Sequence, residues 1–180
     1  MLYVNNLNQN GNDAQRALHL PDACSGAAIC GMGMSEPGAG TDVLGMATRA
    51  AQDADGGFTL TGQKMWITNG TVDGTTTGDK FLVYARTGEG RADVSMFHVE
   101  KDMPGFTLGQ KIEDKLGMRA SMTAEVSAAA VRAAEERKEE EKKRGRQRKM
   151  AIGVCHGVTL CGRRGTAVVC SPREELRSTI

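Results

Sequence analysis

Two short stretches of this 180-residue chain carry side chains whose types and spacing can do chemistry. The first is Ser35-Glu36-Pro37-Gly38-Ala39-Gly40-Thr41-Asp42. Pro37 fixes φ, Gly38 and Gly40 admit backbone conformations closed to other residues, and the small side chains let a ligand approach the backbone amides. With the hydroxyls of Ser35 and Thr41 at its two ends, the turn could hold a phosphate or the acceptor edge of a planar cofactor. It could equally be an ordinary tight connection. It lacks the third glycine of a dinucleotide fingerprint and the Gly-Lys-Ser/Thr of a phosphate-binding P-loop.

The second stretch is Met65-Trp66-Ile67-Thr68-Asn69-Gly70. Trp66, the only tryptophan, falls at the end of a predicted strand beside a turn, where an indole either closes the mouth of a β structure or stacks on a flat ligand. Thr68 lies two residues on, so in a regular strand its hydroxyl shares a face with the indole. A stacking surface beside a hydrogen-bonding group suits an aromatic heterocycle.

Other reactive residue types point to less. The five cysteines, Cys24, Cys30, Cys155, Cys161 and Cys170, are odd in number and follow no secretory signal, which predicts reduced thiols. Asn69-Gly70-Thr71 is then an accidental glycosylation match. Cys155 and His156 are adjacent and the remaining spacings irregular, so no zinc knuckle forms and no metal is expected. Glu135, Glu136, Glu139, Glu140 and Glu141 stand in a charge run with no apolar pocket to tune a base. Arg91 and Arg119 read as surface residues, with a ligand contact as the alternative for each. A net charge of +1 gives no global field to attract nucleic acid or an anionic membrane. The basic residues 142–149 follow an acidic cluster and have no interleaved aromatics, so no nucleic-acid partner is expected. No apolar run approaches the roughly 20 residues needed to cross a bilayer.

The elements that must position these groups are mostly strands. Residues 1–21 look like a remnant of a helical layer, with Pro21 stopping the pattern. From 22 to 127 the chain is turn-rich. A segment at 46–51 and a reversal at Asp53-Ala54-Asp55-Gly56-Gly57 lead into a hairpin arm that bulges at Gly62. The continuous apolar run Phe81-Leu82-Val83-Tyr84-Ala85 predicts a strand with little face left for water. Val94 to Val99, Phe106 to Ile112 and Met122 to Val126 add further strands. Six or seven short strands with no intervening helix predict a mainly β fold, either a sandwich or a barrel. Aromatics are only 4% of the chain, so aliphatic residues and the 10 methionines must fill the core. Residues 128–150 form an alanine-rich, then highly charged segment, expected to be a solvated helix or disordered, and 151–180 a weakly specified tail.

Taken together, the strings Met34-Ser35-Glu36-Pro37-Gly38-Ala39-Gly40-Thr41-Asp42-Val43 and Gly62-Gln63-Lys64-Met65-Trp66-Ile67-Thr68-Asn69-Gly70 closely resemble the two signature segments of the acyl-CoA dehydrogenase family. Phe97-His98-Val99-Glu100-Lys101, Met103-Pro104-Gly105-Phe106 and Lys115-Leu116-Gly117-Met118-Arg119 continue the likeness in order, over about residues 1–125. The resemblance implies an antiparallel β-barrel, the middle domain that this family places between two helical domains. It further implies that Met32, Gly33, Met34, Ser35, Glu36, Pro37, Gly38, Ala39, Gly40 and Thr41 line FAD. Trp66 would pack on the isoalloxazine, Ile67 would continue the wall and Thr68 would bond near flavin N5. Thr41 would also face the acyl-CoA substrate, and Glu36 would serve the turn by accepting donors around it.

The implied reaction is α,β-dehydrogenation of a short branched acyl-CoA, with electrons passing to electron-transferring flavoprotein. The implied location is the mitochondrial matrix, although no transit peptide is visible here. The family homo-oligomerises, and its catalytic base sits in a C-terminal helical domain with no counterpart in this sequence. Little turnover by this chain alone is therefore expected, and a truncated or mis-spliced gene would account for the abrupt change after Glu125. The alternative is a non-catalytic barrel that binds acyl-CoA or a partner protein.

Overall fold

The structure is a computed structural model and describes residues 2–133. The charged segment, the tail and the cysteines at 155, 161 and 170 lie outside the described residues, so the expectations for them have no structural counterpart. Among the described residues, no helix is long and apolar enough to cross a membrane.

Two helices open the chain, α1 (Leu2–Asn10) and α2 (Asp13–Ser25). Asn12 starts α2 with a capping box, its side chain accepting from the Gln15 amide while the Gln15 side chain accepts from the Asn12 amide. Pro21 does not stop the helix, contrary to the sequence expectation. The helix runs four residues further and ends at Gly26 in the left-handed conformation. Leu20 and Ala23, on either side of Pro21, pack against the buried cluster that α1 forms with the sheet, and that packing holds the helix through the lost N–H.

Seven strands follow: β1 (Cys30–Gly33), β2 (Arg49–Gln52), β3 (Phe58–Thr68), β4 (Lys80–Arg86), β5 (Val94–Glu100), β6 (Phe106–Lys111) and β7 (Thr123–Ala133). The mainly β expectation and the strand count both hold. The sheet is mixed and not closed, which corrects the antiparallel barrel. β1 and β2 both run parallel to β4, β5 lies on the other edge of β4, and the order then continues through β3 and β7 to β6. The parallel pairing arises because β1 and β2 lie end to end along one edge of β4, at Lys80 to Val83 and at Arg86. The chain between them leaves the sheet as an excursion.

β7 also runs past its expected end near Val126 and reaches Ala133, which pairs with Phe58. The alanine-rich composition misled, because Ala128, Val131 and Ala133 face the core where small side chains suffice. The irregularity expected at Gly62 is present. Leu60 pairs with Val131 and Gly62 with Ala128, so the extra residue sits on β7, where Ala130 has φ 56°.

Alternation along β4 explains its unbroken apolar run. Phe81, Val83 and Ala85 enter a core inside the curled sheet with Phe97, Val99, Phe106 and Val126. Leu82 and Tyr84 face the other way and meet Tyr3 and Leu7 of α1 with Met96 of β5. Tilted ring pairs, Phe81 with Phe106 at 5.1 Å and Phe58 with Phe97 at 5.2 Å, tie distant strands across the first core. Full burial of a side chain such as Phe81 contributes roughly 1.5–3 kcal/mol, so this strand organises both faces of the fold.

Candidate functional site: an exposed indole beside a pinned turn

The excursion between β1 and β2 contains the turn at 35–42. Glu36 and Ala39 exchange backbone hydrogen bonds of 3.0 and 3.1 Å, closing the chain over Pro37 and Gly38. The Glu36 carboxylate turns inward and is buried. Its Oε2 accepts from the Ala47 amide at 2.6 Å, and its Oε1 accepts from the Thr48 amide at 2.9 Å, the Thr48 hydroxyl and Lys64 Nζ at 2.8 Å. Burial by itself raises a carboxyl pKa, and the donors from Lys64, Thr48 and Ala47 outweigh it, holding Glu36 below its ordinary value.

Lys64 on β3 is only 2% exposed, and its Nζ donates also to the Met34 carbonyl at 3.0 Å. Burial lowers the lysine pKa, while the bond to Glu36 opposes that shift. One buried cation therefore grips the excursion at its start, through Met34, and near its end, through Glu36 and its hold on Ala47 and Thr48.

Beyond Lys64, β3 changes register. Lys64 pairs with Val126 and Ile67 with Ala124, so three residues of β3 span two of β7. At this bulge Trp66 takes φ 58°, a left-handed conformation that costs a bulky residue of order 1–3 kcal/mol. The bulge lets Lys64 and Ile67 both point inward while Trp66 points out, 51% exposed. Thr68, two residues on, is exposed as well. The Met65 amide donates to the Ser35 carbonyl at 2.9 Å, which fixes the turn against the residue before the indole.

The structure thus brings the two stretches together but divides their side chains. Pro37, Gly38, Gly40, Thr41, Trp66 and Thr68 are exposed, and Ser35 is half-buried. A Cβ added at Gly38 or Gly40 would meet nothing within 4 Å, so the turn is open in front of both. Met32 and Met34 instead are half-buried and pack against the core that faces the helices, and Ala39 and Glu36 are buried. Gly33 sits against Lys64, whose Cγ would lie 3.1 Å from an added Cβ. Ile67 is 2% exposed in the sheet core, so at the surface it can offer only backbone. Arg91 pairs with Asp42 on the surface, and Arg119 Nε donates to the Lys115 carbonyl.

Lys64 is the residue that sequence reasoning missed. A signal was present: β3 alternates, Leu60 faces in, and the same parity carries Lys64 inward, where only a carboxylate makes burial tolerable. A half-exposed indole held at strain cost beside an open, small-residue turn fits a flat, polar-edged group such as a flavin. Both features are aromatic-stacking or amide-donor surfaces, and neither is filled by side chains of the described residues.

A family profile described as "Acyl-CoA dehydrogenase, middle domain" matches residues 31–131, six residues further than the sequence resemblance reached. A relative from Solanum tuberosum, "2-methylacyl-CoA dehydrogenase, mitochondrial", is 46% identical over 125 residues, covering 68% of this chain and 29% of that protein. "Isovaleryl-CoA dehydrogenase, mitochondrial" from Arabidopsis thaliana is 43% identical over 127 residues, covering 69% and 29%. The solved structure of a glutaryl-CoA dehydrogenase from Mycobacterium smegmatis in complex with FADH2 superposes with a TM-score of 0.64 at 37% identity, covering 73% of this chain and 31% of that one. The chain spans about 29% of the length of the curated relatives it matches.

Proposed function

The chain belongs to the acyl-CoA dehydrogenase family, and from that premise we propose that its described residues form the flavin-facing wall of an FAD-dependent dehydrogenase of short branched acyl-CoA thioesters such as isovaleryl-CoA. The observation that carries this reading is the bulge at Trp66, which turns the indole outward next to the Ser35 to Thr41 turn. When bound, FAD supplies the acceptor for the hydride that leaves the acyl β-carbon.

Each residue then has a defined task. Trp66 covers a flat ring face, and the Thr68 hydroxyl and the turn's amides donate toward its polar edge. Fixed donors of this kind stabilise developing negative charge without reorganising. Thr41, exposed at the end of the turn, faces the thioester. Glu36 is not the base that removes the α-proton: its carboxylate is buried, accepts several donors and is held ionised by them. Asp42 is engaged by Arg91. On the family resemblance the base belongs to a C-terminal helical domain, and little or no turnover by the 180-residue chain alone is part of this proposal. Electron-transferring flavoprotein is the proposed electron acceptor, and the mitochondrial matrix the proposed location.

The test is FAD reconstitution of the purified chain, followed by gel filtration and assay with isovaleryl-CoA and an artificial electron acceptor. Flavin absorbance that travels with the protein and quenches Trp66 fluorescence, without turnover, is the expected result. Colourless protein would sink the flavin reading and favour the alternative, a non-catalytic module that binds acyl-CoA or a partner. Turnover comparable to a complete enzyme would overturn the assignment of the base.

A further inference from the structure

A second group of chemistry-bearing side chains lies where the helices meet the sheet. His19 of α2 stacks on His98 of β5, with ring centroids 3.8 Å apart and planes inclined by 25°. His19 Nδ1 is 4.0 Å from Glu100 Oε1, and one ligand atom from each of His19, His98 and Glu100 lies within 4.8 Å of the others. Tyr3 of α1 stands edge-on to His98, with centroids 6.1 Å apart.

Two buried polar atoms in this cluster, Tyr3 Oη and His98 Nε2, have no hydrogen-bond partner among the described residues. A native core rarely leaves such atoms orphaned, and two on adjoining rings ask for a bound species that the described residues do not supply. His19 is 7% exposed, whereas the Glu100 side chain is 45% exposed, which leaves an entry path from solvent.

We propose that His19, His98 and Glu100 bind one divalent transition-metal ion of the zinc type and so fasten α2 to β5. Two imidazole nitrogens and one carboxylate oxygen match the preference of such ions over magnesium or calcium, which select all-oxygen sets. Metal–nitrogen distances of about 2.0–2.1 Å require the three ligand atoms to converge and one imidazole plane to turn off the stack. Rotation about the histidine side-chain torsions supplies that movement. A solvent molecule on the Glu100 side would complete four-coordination. The site lies on the helix-facing side of β5 and does not depend on the flavin reading.

Zn²⁺ titration of the metal-free, reduced full chain tests the proposal, by calorimetry and by thermal unfolding. Because the chain also has thiols, the same titration is run on His98→Leu and Glu100→Gln, which keep every cysteine, and Co²⁺ is used as a spectroscopic substitute. The expected result is one saturable Zn²⁺ per chain, a raised Tm, and a cobalt spectrum without thiolate charge-transfer bands. His98→Leu should weaken that binding roughly a hundredfold or more, and Glu100→Gln about tenfold or more. Absence of saturable binding, unchanged affinity in both variants, or a thiolate-type cobalt spectrum would overturn it. Should His98→Leu fail to fold, Glu100→Gln decides, since Glu100 is half-exposed and its amide keeps the shape.

Discussion

Lys64 Nζ lies 2.8 Å from Glu36 Oε1, with the lysine side chain 2% and the glutamate side chain 6% exposed. This contact joins the two stretches that the sequence marks as chemical, because Glu36 belongs to the turn and Lys64 stands two residues before Trp66. Desolvating two charges is costly, so the pair contributes little net stability over an apolar replacement. Breaking it leaves one charge buried alone.

Lys64→Met should therefore destabilise the fold by about 3–5 kcal/mol, while the double change Lys64→Met with Glu36→Gln recovers part of that loss. Urea unfolding followed by circular dichroism measures both. A single variant as stable as the parent would mean that the buried carboxylate finds another partner.

Trp66 presents the opposite balance. Its left-handed backbone costs of order 1–3 kcal/mol, and half of the indole is in water. Replacing it with glycine removes the strain together with the half-buried ring. Trp66→Gly should stay within about 1 kcal/mol of the parent in unfolding free energy, yet lose flavin retention on gel filtration. A large loss of stability would show the indole to be part of the core instead of a surface for a ligand.

What the sequence made legible follows from where local pattern and tertiary demand agree. The apolar run at 81–85 predicted a strand buried on both faces, and β4 divides its side chains between two cores. Asp53 to Gly57 predicted the reversal between β2 and β3, and the register Gln52 with Phe58 shows it. Pattern failed where long-range packing overruled it. Pro21 sits inside a helix because its neighbours pack into the cluster shared by α1 and the sheet, and β7 continues through alanines because β3 pairs with it to Ala133. At the site, the turn and the tryptophan were visible by residue type. The inward direction of Ile67 and the outward turn of Trp66 were not, since both depend on a bulge that composition does not announce, and the carboxylate that makes a buried Lys64 tolerable lies 28 residues away.

Asp79 offers a pH-dependent test. Its Oδ1 accepts from Lys101 Nζ at 2.7 Å and its Oδ2 from the Ile29 amide at 2.8 Å, so it links the start of β1 to the end of β5. The Lys101 bond first, and the Ile29 amide next, hold its pKa below the ordinary value of 3.8. A depressed carboxylate stabilises the fold above the unfolded pKa and loses that contribution as pH falls through the folded one. Asp79→Asn should cost about 1 kcal/mol at pH 7, given partial exposure, and the gap to the parent should close as pH falls below 3.8. Urea midpoints across that range check it. A gap that is constant with pH would assign the effect to shape instead of charge.

Gly62 links the sheet to the pinned turn. Its φ of 155° lies at the limit of what side chains adopt, and a Cβ there would come within 2.4 Å of Thr48 Oγ1 and 2.7 Å of Thr48 Cα. Thr48 cannot withdraw freely, because its amide and hydroxyl both donate to Glu36 and its carbonyl accepts from the Arg86 amide. The added methyl must push β2 away from β3 and strain the hold on Glu36 together. Gly62→Ala should then destabilise by roughly 2–4 kcal/mol, more than the usual cost of a tight core contact. In a flavin-loaded sample it should also weaken flavin retention although Gly62 itself faces no ligand. Amide hydrogen exchange locates the effect: faster exchange at Ala47 and Thr48 is expected, and unchanged protection there would show the turn to be independent of the β2–β3 contact.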